Sequence, residues 1–493
     1  RPKPSATMQG SILVFIVKLS AGSIPPSAPP RKAKAALDYL PLGSKSFRRT
    51  RVGEFLMKRT FILIVFAAVA LAKPLAERPN FILCMADDQG WGDTGYNGHP
   101  ILKTPVMDEM ARTGLRFDRF YSAAAVCSPT RGSVMTGRNP NRFGCFAWGY
   151  TLRPQEITIA EALKQTGYTT AHFGKWDMRF DNVTPSEMGY DVSDGYTVNG
   201  TGGSKGTGGP APKHDPKLIR SLTQRTCDFM ETQARAGKPF FVQVSHYAVH
   251  LDIFYSEDSL KQTKRLAKGK KHTMPEFAAM TQDLDDGIGA VMDKIESLGL
   301  QDNTYAFFFS DNGGRLTMPG QKNKKLPRNH PLRQGKGSMY EGGLRVPFIV
   351  VGPRIKPGSQ SRVPVTGLDL FPTLAELAGH TKPLPKSLDG GSLAGLLHNQ
   401  GQGAVQRSNS FLLFHQAVAR TAQTALIHGD YKLVKTWRGN RLELFDLSKS
   451  IEEDINLAEK LPDKTEKLHR LMTGYLDNVG AETRKITTKK ANQ

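Results

Sequence analysis

At 493 residues, with 39% hydrophobic and 23% charged residues, the chain has the composition of a globular protein that is long enough for one large domain and a smaller one. Its net charge is +22, and because residues 1–72 hold 12 of the 67 basic and 2 of the 45 acidic residues, the remainder keeps a net charge of +12. A basic protein favours polyanionic ligands, but zinc-finger spacing, a helix-turn-helix signal and basic strands interleaved with aromatic residues are all missing from the sequence, which argues against nucleic acid as a partner.

Two N-terminal segments are predicted to lie outside the fold. Residues 1–56 contain stretches rich in Pro, Ser and Lys and precede Met57, so we interpret them as a non-native or disordered extension. Lys58 and Arg59 then precede an apolar run, residues 61–72, which is too short for a stable membrane span and ends in Ala-Leu-Ala. Residues 57–72 are therefore predicted to be a signal peptide, and we expect export to the periplasm, the cell surface or the medium.

The sequence from residue 78 onward has the pattern of an α/β domain. Short apolar runs alternate with segments of helical period, which predicts a large, mixed and mostly parallel sheet flanked by helices. The predicted strands are residues 81–85, 169–173, 240–244, 305–309 and 346–351, and the predicted helices are residues 106–112, 159–165 and 277–298. Residues 196–215, rich in Gly, Ser and Pro, and the Lys-rich residues 261–272 are predicted surface loops.

From about residue 405 polar and apolar residues alternate. The runs 424–427, 431–435 and 442–445 predict antiparallel strands, and residues 464–479 have a helical period. We therefore predict a catalytic domain over residues 78–404 and a smaller C-terminal α+β subdomain over residues 405–485, in which a helix covers an antiparallel sheet.

Polar side chains follow four of the predicted strands. They are Asp87 and Asp88 after the first, Lys175 after the second, His246 and His250 after the third, and Asp311 and Asn312 after the fourth. Because ligands bind at the carboxyl ends of parallel strands, we expect these groups to converge at one sheet edge. Three carboxylates and an amide oxygen suit a hard divalent cation such as Ca²⁺ or Mg²⁺, although acidic pairs at strand ends can also be plain helix caps.

Cys127 begins the segment Cys-Ser-Pro-Thr-Arg131 and is the candidate reactive cysteine among four that form no disulfide or metal pattern. Ser128 is predicted to cap a helix that has Pro129 at its first position. Free amides and the helix dipole at that end would then lower the pKa of the Cys127 thiol, and Arg131 would pair with a bound oxyanion. A buried structural cysteine ahead of a proline-started helix is the alternative.

Further motifs accompany this segment in a fixed order. Thr136-Gly137 follows Cys127, Pro129 and Arg131, and the others are Arg-Pro-Asn-Phe-Ile-Leu-Cys-Met-Ala-Asp-Asp at 78–88, Phe-Gly-Lys-Trp at 173–176, Tyr-Ala-Val-His at 247–250, Ser-Asp-Asn-Gly-Gly at 310–314 and Gly-Lys-Gly-Ser-Met-Tyr-Glu-Gly-Gly-Leu-Arg-Val-Pro at 335–347. In these motifs residues 78–480 resemble the type I, formylglycine-dependent sulfatases, which are arylsulfatase-like members of the alkaline phosphatase superfamily. The resemblance implies an alkaline-phosphatase-like fold and a secreted sulfuric ester hydrolase.

The resemblance also implies a role for each candidate residue. A separate maturation enzyme would oxidise Cys127 to formylglycine, whose hydrated aldehyde, a gem-diol, attacks the sulfur of a sulfate ester. The residues implied to bind Ca²⁺, with Mg²⁺ as the alternative, are Asp87, Asp88, Asp311 and Asn312 together with the modified Cys127. The residues implied to hold the sulfate charge are Arg131, Lys175 and Lys336. His250, helped by Lys336, would protonate the leaving alcohol, whereas His246 is expected to be a packed or hydrogen-bonded histidine.

One position departs from the family pattern. Sulfatases of this kind usually read Gly-Lys-Trp-His, whereas this chain has Asp177 after Trp176. Asp177 either replaces the family histidine as a base or faces elsewhere, and because a carboxylate repels bound sulfate we expect an altered pH dependence or an unusual substrate. Arg333 is predicted to lie on the rim of the site, where it either touches substrate or forms a structural ion pair.

Three functions remain open at this stage. The first is hydrolysis of sulfate esters, with a sulfated carbohydrate as substrate. The second is a phosphodiester or phosphonate monoester hydrolase of the same superfamily, since the same cation site would serve phosphoryl transfer. The third is a non-catalytic protein that binds sulfated glycans. The sequence does not predict the sulfated position, endo or exo action, or the oligomeric state.

Overall fold

The structure, a computed structural model, describes residues 78–99, 102–178, 183–203, 214–265, 274–317, 328–417 and 421–483. The predicted extension and signal peptide lie outside these residues, as do residues 204–213 and 266–272 of the two predicted loops. Within the described ranges, none of the helices combines the length and the apolar character needed to cross a membrane.

Strands and helices alternate through most of the chain. The strands are β1 (Asn80–Ala86), β2 (Leu115–Phe117), β3 (Phe120–Tyr121), β4 (Thr169–Gly174), β5 (Val192–Ser193), β6 (Phe240–Ser245), β7 (Thr304–Ser310), β8 (Phe348–Val351), β9 (Ser359–Ser361), β10 (Val365–Thr366), β11 (Leu412–Gln416), β12 (Gln423–His428), β13 (Tyr431–Thr436) and β14 (Arg441–Asp446). The helices are α1 (Pro105–Thr113), α2 (Cys127–Thr136), α3 (Ile159–Lys164), α4 (Ile219–Arg235), α5 (Glu257–Lys264), α6 (Pro275–Ser297), α7 (Glu341–Leu344), α8 (Leu370–Leu377), α9 (Ala394–His398) and α10 (Pro462–Asn478). Short 3-10 turns include Asn199–Gly202 and Pro216–Leu218.

The larger sheet has eight strands in the order β5-β4-β6-β1-β7-β8-β2-β9. Strands β5, β4, β6, β1 and β7 run parallel to one another, whereas β8 is antiparallel to both β7 and β2, and β9 is parallel to β2. The sheet is therefore mixed and mostly parallel, as predicted, and β1 lies at its centre.

Both faces of this sheet are buried, which explains why its strands read as continuous apolar runs rather than as alternating ones. In β1, Phe81, Leu83 and Met85 belong to the core on one face of the sheet. Ile82 and Cys84 belong to the core on the opposite face, to which α4 and α6 contribute apolar side chains. Cys84 is 4% exposed and is thus an ordinary core residue.

A separate antiparallel sheet, in the order β11-β12-β13-β14, forms the C-terminal part of the fold. One of its faces packs against Tyr121, Met339 and Leu344 of the preceding chain. The other face is covered by α10, which contributes Leu468 and Met472 among others. The predicted fold class is thus confirmed, including the helix over the small sheet; β11 was not predicted, and the domain boundary at residues 404 and 405 stays a prediction.

Candidate active site

Two adjacent strands deliver the acidic residues to one sheet edge. Strand β1 leads into Asp87 and Asp88, and β7, which pairs with it in parallel through Ala86 opposite Ser310, leads into Asp311 and Asn312. The Asp88 backbone N–H donates to Asp311 Oδ1 at 3.1 Å. The strand ends therefore bring these side chains together as the sequence predicts.

A third strand brings Lys175 to the same edge. Strand β4 ends at Gly174, whose φ is +92°, and a Cβ at that position would lie 2.1 Å from the carbonyl oxygen of Ser245. Only glycine permits this close approach and this backbone conformation. The chain turns there, and the Lys175 ammonium reaches Asp87 Oδ2 at 2.7 Å.

The acidic residues form a compact buried cluster. One ligand atom from each of Asp87, Asp88, Cys127 and Asp311 can be chosen so that all four lie within 4.8 Å of one another. Two buried oxygens in this cluster, Asp88 Oδ2 and Asn312 Oδ1, have no hydrogen-bond partner within the described part of the chain, while the Asn312 amide nitrogen donates to Asp88 Oδ1 at 2.7 Å. Clustered carboxylates with unpartnered oxygens are the arrangement that a hard divalent cation requires.

Three cationic side chains surround the carboxylates. Arg131 Nη2 lies 2.7 Å from Asp311 Oδ2, and Lys336 forms an ion pair with Asp88. Burial alone would lower the pKa of Lys175, but the carboxylates of Asp177 and Asp87 raise it above its usual range. All three groups are therefore charged at neutral pH, and they leave the cluster with cations available to bind an anion such as sulfate.

Cys127 occupies the first residue of α2, between the carboxylates and Lys336. Its Sγ atom lies 3.5 Å from Asp87 Oδ1 and 3.2 Å from Lys336 Nζ. The predicted lowering of its thiol pKa is wrong: burial and the charges of Asp311 and Asp87 raise the pKa well above its usual value, although Lys175 and Lys336 oppose this. In this environment the unmodified residue is a thiol, not a thiolate nucleophile.

The predicted helix cap at Ser128 is also wrong. The residue before α2 is Val126, and no side chain caps the helix. The Ser128 hydroxyl instead donates to the carbonyl oxygen of Asp177 at 2.8 Å and accepts from the Gly149 N–H at 3.0 Å. Ser128 thus ties the start of α2 to two segments that are distant in the sequence.

Family comparison identifies the chain. The family model described as Sulfatase matches residues 79–380, which is more than half of the protein. The chain belongs to the sulfatase family. A second model, described as N-sulphoglucosamine sulphohydrolase, C-terminal, matches residues 334–480.

Individual relatives give the same result. N-acetylgalactosamine-6-sulfatase of Mus musculus is 31% identical over 365 residues, which cover 67% of this chain and 68% of that protein. Arylsulfatase A of Homo sapiens is 32% identical over 390 residues, which cover 71% of this chain and 72% of that protein. This sulfatase is accordingly a hydrolase of sulfuric esters.

Solved structures share the fold. The PsFucS1 sulfatase from Pseudoalteromonas sp. has a TM-score of 0.68 at 23% identity, with 85% of this chain and 94% of that chain covered. Ps i-CgsB has a TM-score of 0.69 at 24% identity, with 81% of this chain and 92% of that chain covered.

His250 contacts the cluster and is less deeply buried than Asp88, with 13% of its side chain exposed. Its Nε2 atom is 3.7 Å from Asp88 Oδ2, and its Nδ1 atom is 2.6 Å from the carbonyl oxygen of Leu251, to which an Nδ1–H would donate. Burial is the main reason why the pKa of His250 falls to about 3, with Lys336 and Lys175 adding to the effect and Asp88 opposing it. The imidazole in this arrangement is neutral, with Nε2 as its acceptor nitrogen.

Asp177, which replaces the family histidine, faces into the site. Its Oδ2 atom lies 3.7 Å from Lys175 Nζ and 3.3 Å from the Ser128 hydroxyl. The residue is fully buried and has a φ of 61°, in the left-handed region that side chains seldom adopt. The Asp177 carboxylate therefore lies beside Lys175, and a role as a base stays a prediction.

The remaining predicted residues lie close to the site without joining its polar cluster. His246 is fully buried, and neither of its ring nitrogens has a hydrogen-bond partner among the described residues, so it is packed rather than hydrogen-bonded. Arg333 forms an ion pair with Glu443 at 3.3 Å and lies over the Tyr340 ring at 4.0 Å. Arg333 therefore links the loop that carries Lys336 to the C-terminal sheet.

Sequence reasoning missed two residues that support Asp88. The buried Arg328 side chain donates to the Asp88 carbonyl oxygen at 2.5 Å and pairs with Asp93 Oδ2 at 2.7 Å. Asp93 in turn accepts from the Gly90 N–H at 2.9 Å. Arg328 lies five residues before Arg333, and because it belongs to no periodic pattern only its contacts reveal its role.

Proposed function

We propose that this sulfatase releases inorganic sulfate from a sulfated carbohydrate through a formylglycine formed from Cys127 and a divalent cation, Ca²⁺ in preference to Mg²⁺. The proposal rests above all on one observation, the burial of Cys127 among Asp87, Asp88 and Asp311, with ligand atoms that all lie within 4.8 Å of one another. Packing alone does not explain this arrangement, because a structural cysteine gains nothing from nearby carboxylates. Their negative charge only opposes ionisation of the thiol.

The residues present fit a cation. Asp88 Oδ2 and Asn312 Oδ1 are buried, and no described residue forms a hydrogen bond with either atom, which is costly unless another group satisfies them. All the candidate ligands at the site are oxygen atoms apart from the Cys127 sulfur, which oxidation to an aldehyde would also replace by oxygen. Such an oxygen-rich set favours Ca²⁺ or Mg²⁺ over transition metals.

When bound, the cation would polarise a sulfate oxygen, and the hydrated aldehyde of formylglycine would supply the attacking hydroxyl group. The protein's own residues would hold the sulfate. Arg131 is fixed by Asp311 and donates to the Lys175 carbonyl oxygen at 2.8 Å, so its guanidinium has little freedom to move. Lys175 and Lys336 approach the same centre from β4 and from the loop before α7. These three cations would stabilise negative charge as it develops on the sulfate oxygens.

Proton transfer to the leaving alcohol has two candidate donors. His250 presents Nε2 toward the cluster while its Nδ1 faces the Leu251 carbonyl oxygen. Lys336 is charged and lies 3.2 Å from Cys127 Sγ. We assign Lys336 to the nucleophile and the sulfate, because its Nζ atom lies 3.2 Å from the sulfur of the position that is modified. We assign His250 to the leaving alcohol, and this role requires its neutral imidazole to take up a proton at Nε2 once the anionic substrate is bound.

Carbohydrate as the substrate is supported by charge and by the relatives. The basic protein would attract a sulfated glycan, and the mouse relative is named for N-acetylgalactosamine 6-sulfate. BT4656, a structure with the same fold at a TM-score of 0.65, was solved with its substrate D-glucosamine-2-N,6-O-disulfate. Formylglycine formation requires a maturation enzyme as a partner, and the predicted signal peptide would export the protein.

Turnover on paired substrates tests the proposal. Protein matured in its own host should release sulfate from an aryl sulfate far faster than it cleaves the matching aryl phosphodiester. The Cys127→Ala variant should have neither activity. Faster cleavage of the phosphodiester would instead support the phosphodiester or phosphonate hydrolase, and binding of sulfated glycans without any sulfate release would support the non-catalytic protein.

A further inference from the structure

Lys217 is a buried lysine beside the active site that the proposed mechanism does not use. It lies in the 3-10 turn Pro216–Leu218, immediately before α4, and is 1% exposed. This turn packs against the turn Asn199–Gly202, and Gly202 in turn lies against the ring of Tyr247 on the segment that carries His250. The turn that carries Lys217 is therefore connected, through the turn Asn199–Gly202, to the segment that carries His250.

The Lys217 ammonium has no hydrogen bond or ion pair with any residue that the structure describes. Its Nζ atom lies over the ring of Phe254, 5.3 Å from the ring centroid. Phe254 is half-buried and lies four residues beyond His250. A cation held without a counterion in a buried position is unfavourable for the free protein, and such groups recur where a ligand supplies the missing charge.

The charged groups that act on Lys217 locate it relative to the cluster. They are the carboxylates of Asp87, Asp252 and Asp88, which attract the ammonium, and Lys175, which repels it. Burial outweighs these attractions and lowers the pKa of Lys217 to about 8. The ammonium is thus mostly charged at neutral pH and remains incompletely compensated.

We propose that Lys217 binds a second sulfate group on the same sugar substrate whose sulfate ester is hydrolysed at Cys127. The inference rests on the proposed function and specifies its substrate class as a carbohydrate that carries at least two negative charges. The Phe254 ring beside the ammonium offers an apolar face to the sugar ring, and the ammonium offers up to three hydrogen-bond donors to the anionic group.

Kinetics on matched sugars test this assignment. Wild-type protein is assayed for sulfate release from a panel of hexosamine monosaccharides that carry either one or two sulfates. We expect at least a tenfold preference in kcat/KM for a disulfated member over its monosulfated counterpart, because a charged hydrogen bond in a buried site contributes about that factor. In the Lys217→Met variant the ratio of kcat/KM for the disulfated over the monosulfated sugar should fall at least tenfold, mainly because KM for the disulfated sugar rises. Lys217→Arg should retain part of the preference.

Two controls separate binding from structure. Arg220→Met removes one charge from an exposed side chain three residues away and should keep the wild-type preference. If Lys217 serves a ligand, Lys217→Met should unfold at the wild-type temperature or above, because an uncompensated buried charge has been replaced by an apolar side chain of similar length. A lower unfolding temperature for both Lys217 variants, with the substrate preference intact, would assign the ammonium a structural role and overturn the inference.

The outcomes also distinguish this inference from the proposed function. The inference is overturned, and the proposed function is left standing, by either of two results. In the first, the wild type releases sulfate without any preference for disulfated sugars. In the second, the preference survives in Lys217→Met. Both the inference and the proposed function are overturned if host-matured wild-type protein releases sulfate neither from the members of the panel nor from an aryl sulfate.

Discussion

Lys336 Nζ lies 3.2 Å from Cys127 Sγ and also forms an ion pair with Asp88. A single ammonium thus contacts both the residue that we propose as the precursor of the nucleophile and a candidate cation ligand. His250 contacts the other carboxylate oxygen of Asp88 at 3.7 Å, and its second ring nitrogen faces the Leu251 carbonyl oxygen. The two residues should therefore affect different steps of the reaction.

Leaving-group dependence separates the roles of His250 and Lys336. If His250 protonates the leaving alcohol, His250→Ala should lower kcat/KM for a sugar sulfate by about 10²- to 10⁴-fold and should have much less effect on a nitrophenyl sulfate, whose leaving group needs no proton. Lys336→Ala should impair both substrates. Steady-state kinetics on the two substrates measure this, and an equal loss on both for His250→Ala would remove the acid assignment.

Asp177 should weaken the binding of inorganic sulfate. Its carboxylate lies 3.7 Å from Lys175 Nζ and so reduces the positive charge available to the anion. Asp177→Asn should lower the inhibition constant of inorganic sulfate by about three- to tenfold, as expected for the loss of one nearby like charge. Asp228→Asn, which changes an exposed carboxylate on α4, serves as the control. An inhibition constant that rises or stays constant in Asp177→Asn would contradict this role.

Ca²⁺ should stabilise the protein against heat. A cation that binds only the folded state at a hundred times its dissociation constant adds about 2.7 kcal/mol to the free energy of unfolding. Adding Ca²⁺ to protein treated with a chelator should therefore raise the unfolding temperature of the wild type. The same addition should raise the unfolding temperature of Asp88→Asn much less. Calorimetry measures both shifts, and equal shifts in wild type and variant would place the binding site elsewhere.

A buried charge cluster beyond the active site should make stability depend on pH. Lys432 Nζ lies 2.8 Å from Glu341 Oε1 and 2.9 Å from Glu453 Oε1. Burial, joined by the like charge of Glu341, raises the pKa of Glu453 to about 7, although Lys432 opposes the shift. The folded protein thus binds this proton more tightly than the unfolded chain does. The resulting stabilisation is complete below pH 4.5, the ordinary pKa of the group, and is lost as the pH rises through about 7.

Glu453→Gln tests this linkage, because the amide keeps the shape of the side chain but cannot ionise. Between about pH 5 and pH 8 the wild type should lose about 2 kcal/mol of unfolding free energy relative to the variant. Urea unfolding at several pH values measures the difference. Parallel stability curves for the two proteins would show that Glu453 does not titrate in this range.

The parts of the fold that depend on local pattern could be predicted from the sequence. The strands of the larger sheet were recognisable as apolar runs because both faces of that sheet are covered. Strands β12 to β14 were recognisable from their alternation of polar and apolar residues, although both faces of the smaller sheet contribute to cores. The convergence of Asp87, Asp88, Asp311 and Asn312 followed from the rule that parallel strands end at the same edge.

Features that depend on contacts distant in the sequence could not be predicted. Ser128 looked like a helix cap, but its hydroxyl is taken by Asp177 and Gly149. The position of Cys127 at the start of a helix, which is a local feature, predicts a lowered thiol pKa. The pKa rises instead because the residue is buried and lies near Asp311, and both effects come from parts of the chain that are distant in the sequence. Lys217 belongs to no motif, and only its burial beside the cluster distinguishes it from a surface lysine.

The most direct test of the central claim is the mass of the tryptic peptide that ends at Arg131, prepared from protein purified from its native host. We predict that Cys127 in this peptide has the lower mass of formylglycine, in which an aldehyde oxygen replaces the thiol, and that the aldehyde reacts with a hydrazide reagent. A peptide that contains only unmodified Cys127, from host-made protein that nevertheless releases sulfate, would contradict the account, because the site would then act without the nucleophile that we propose.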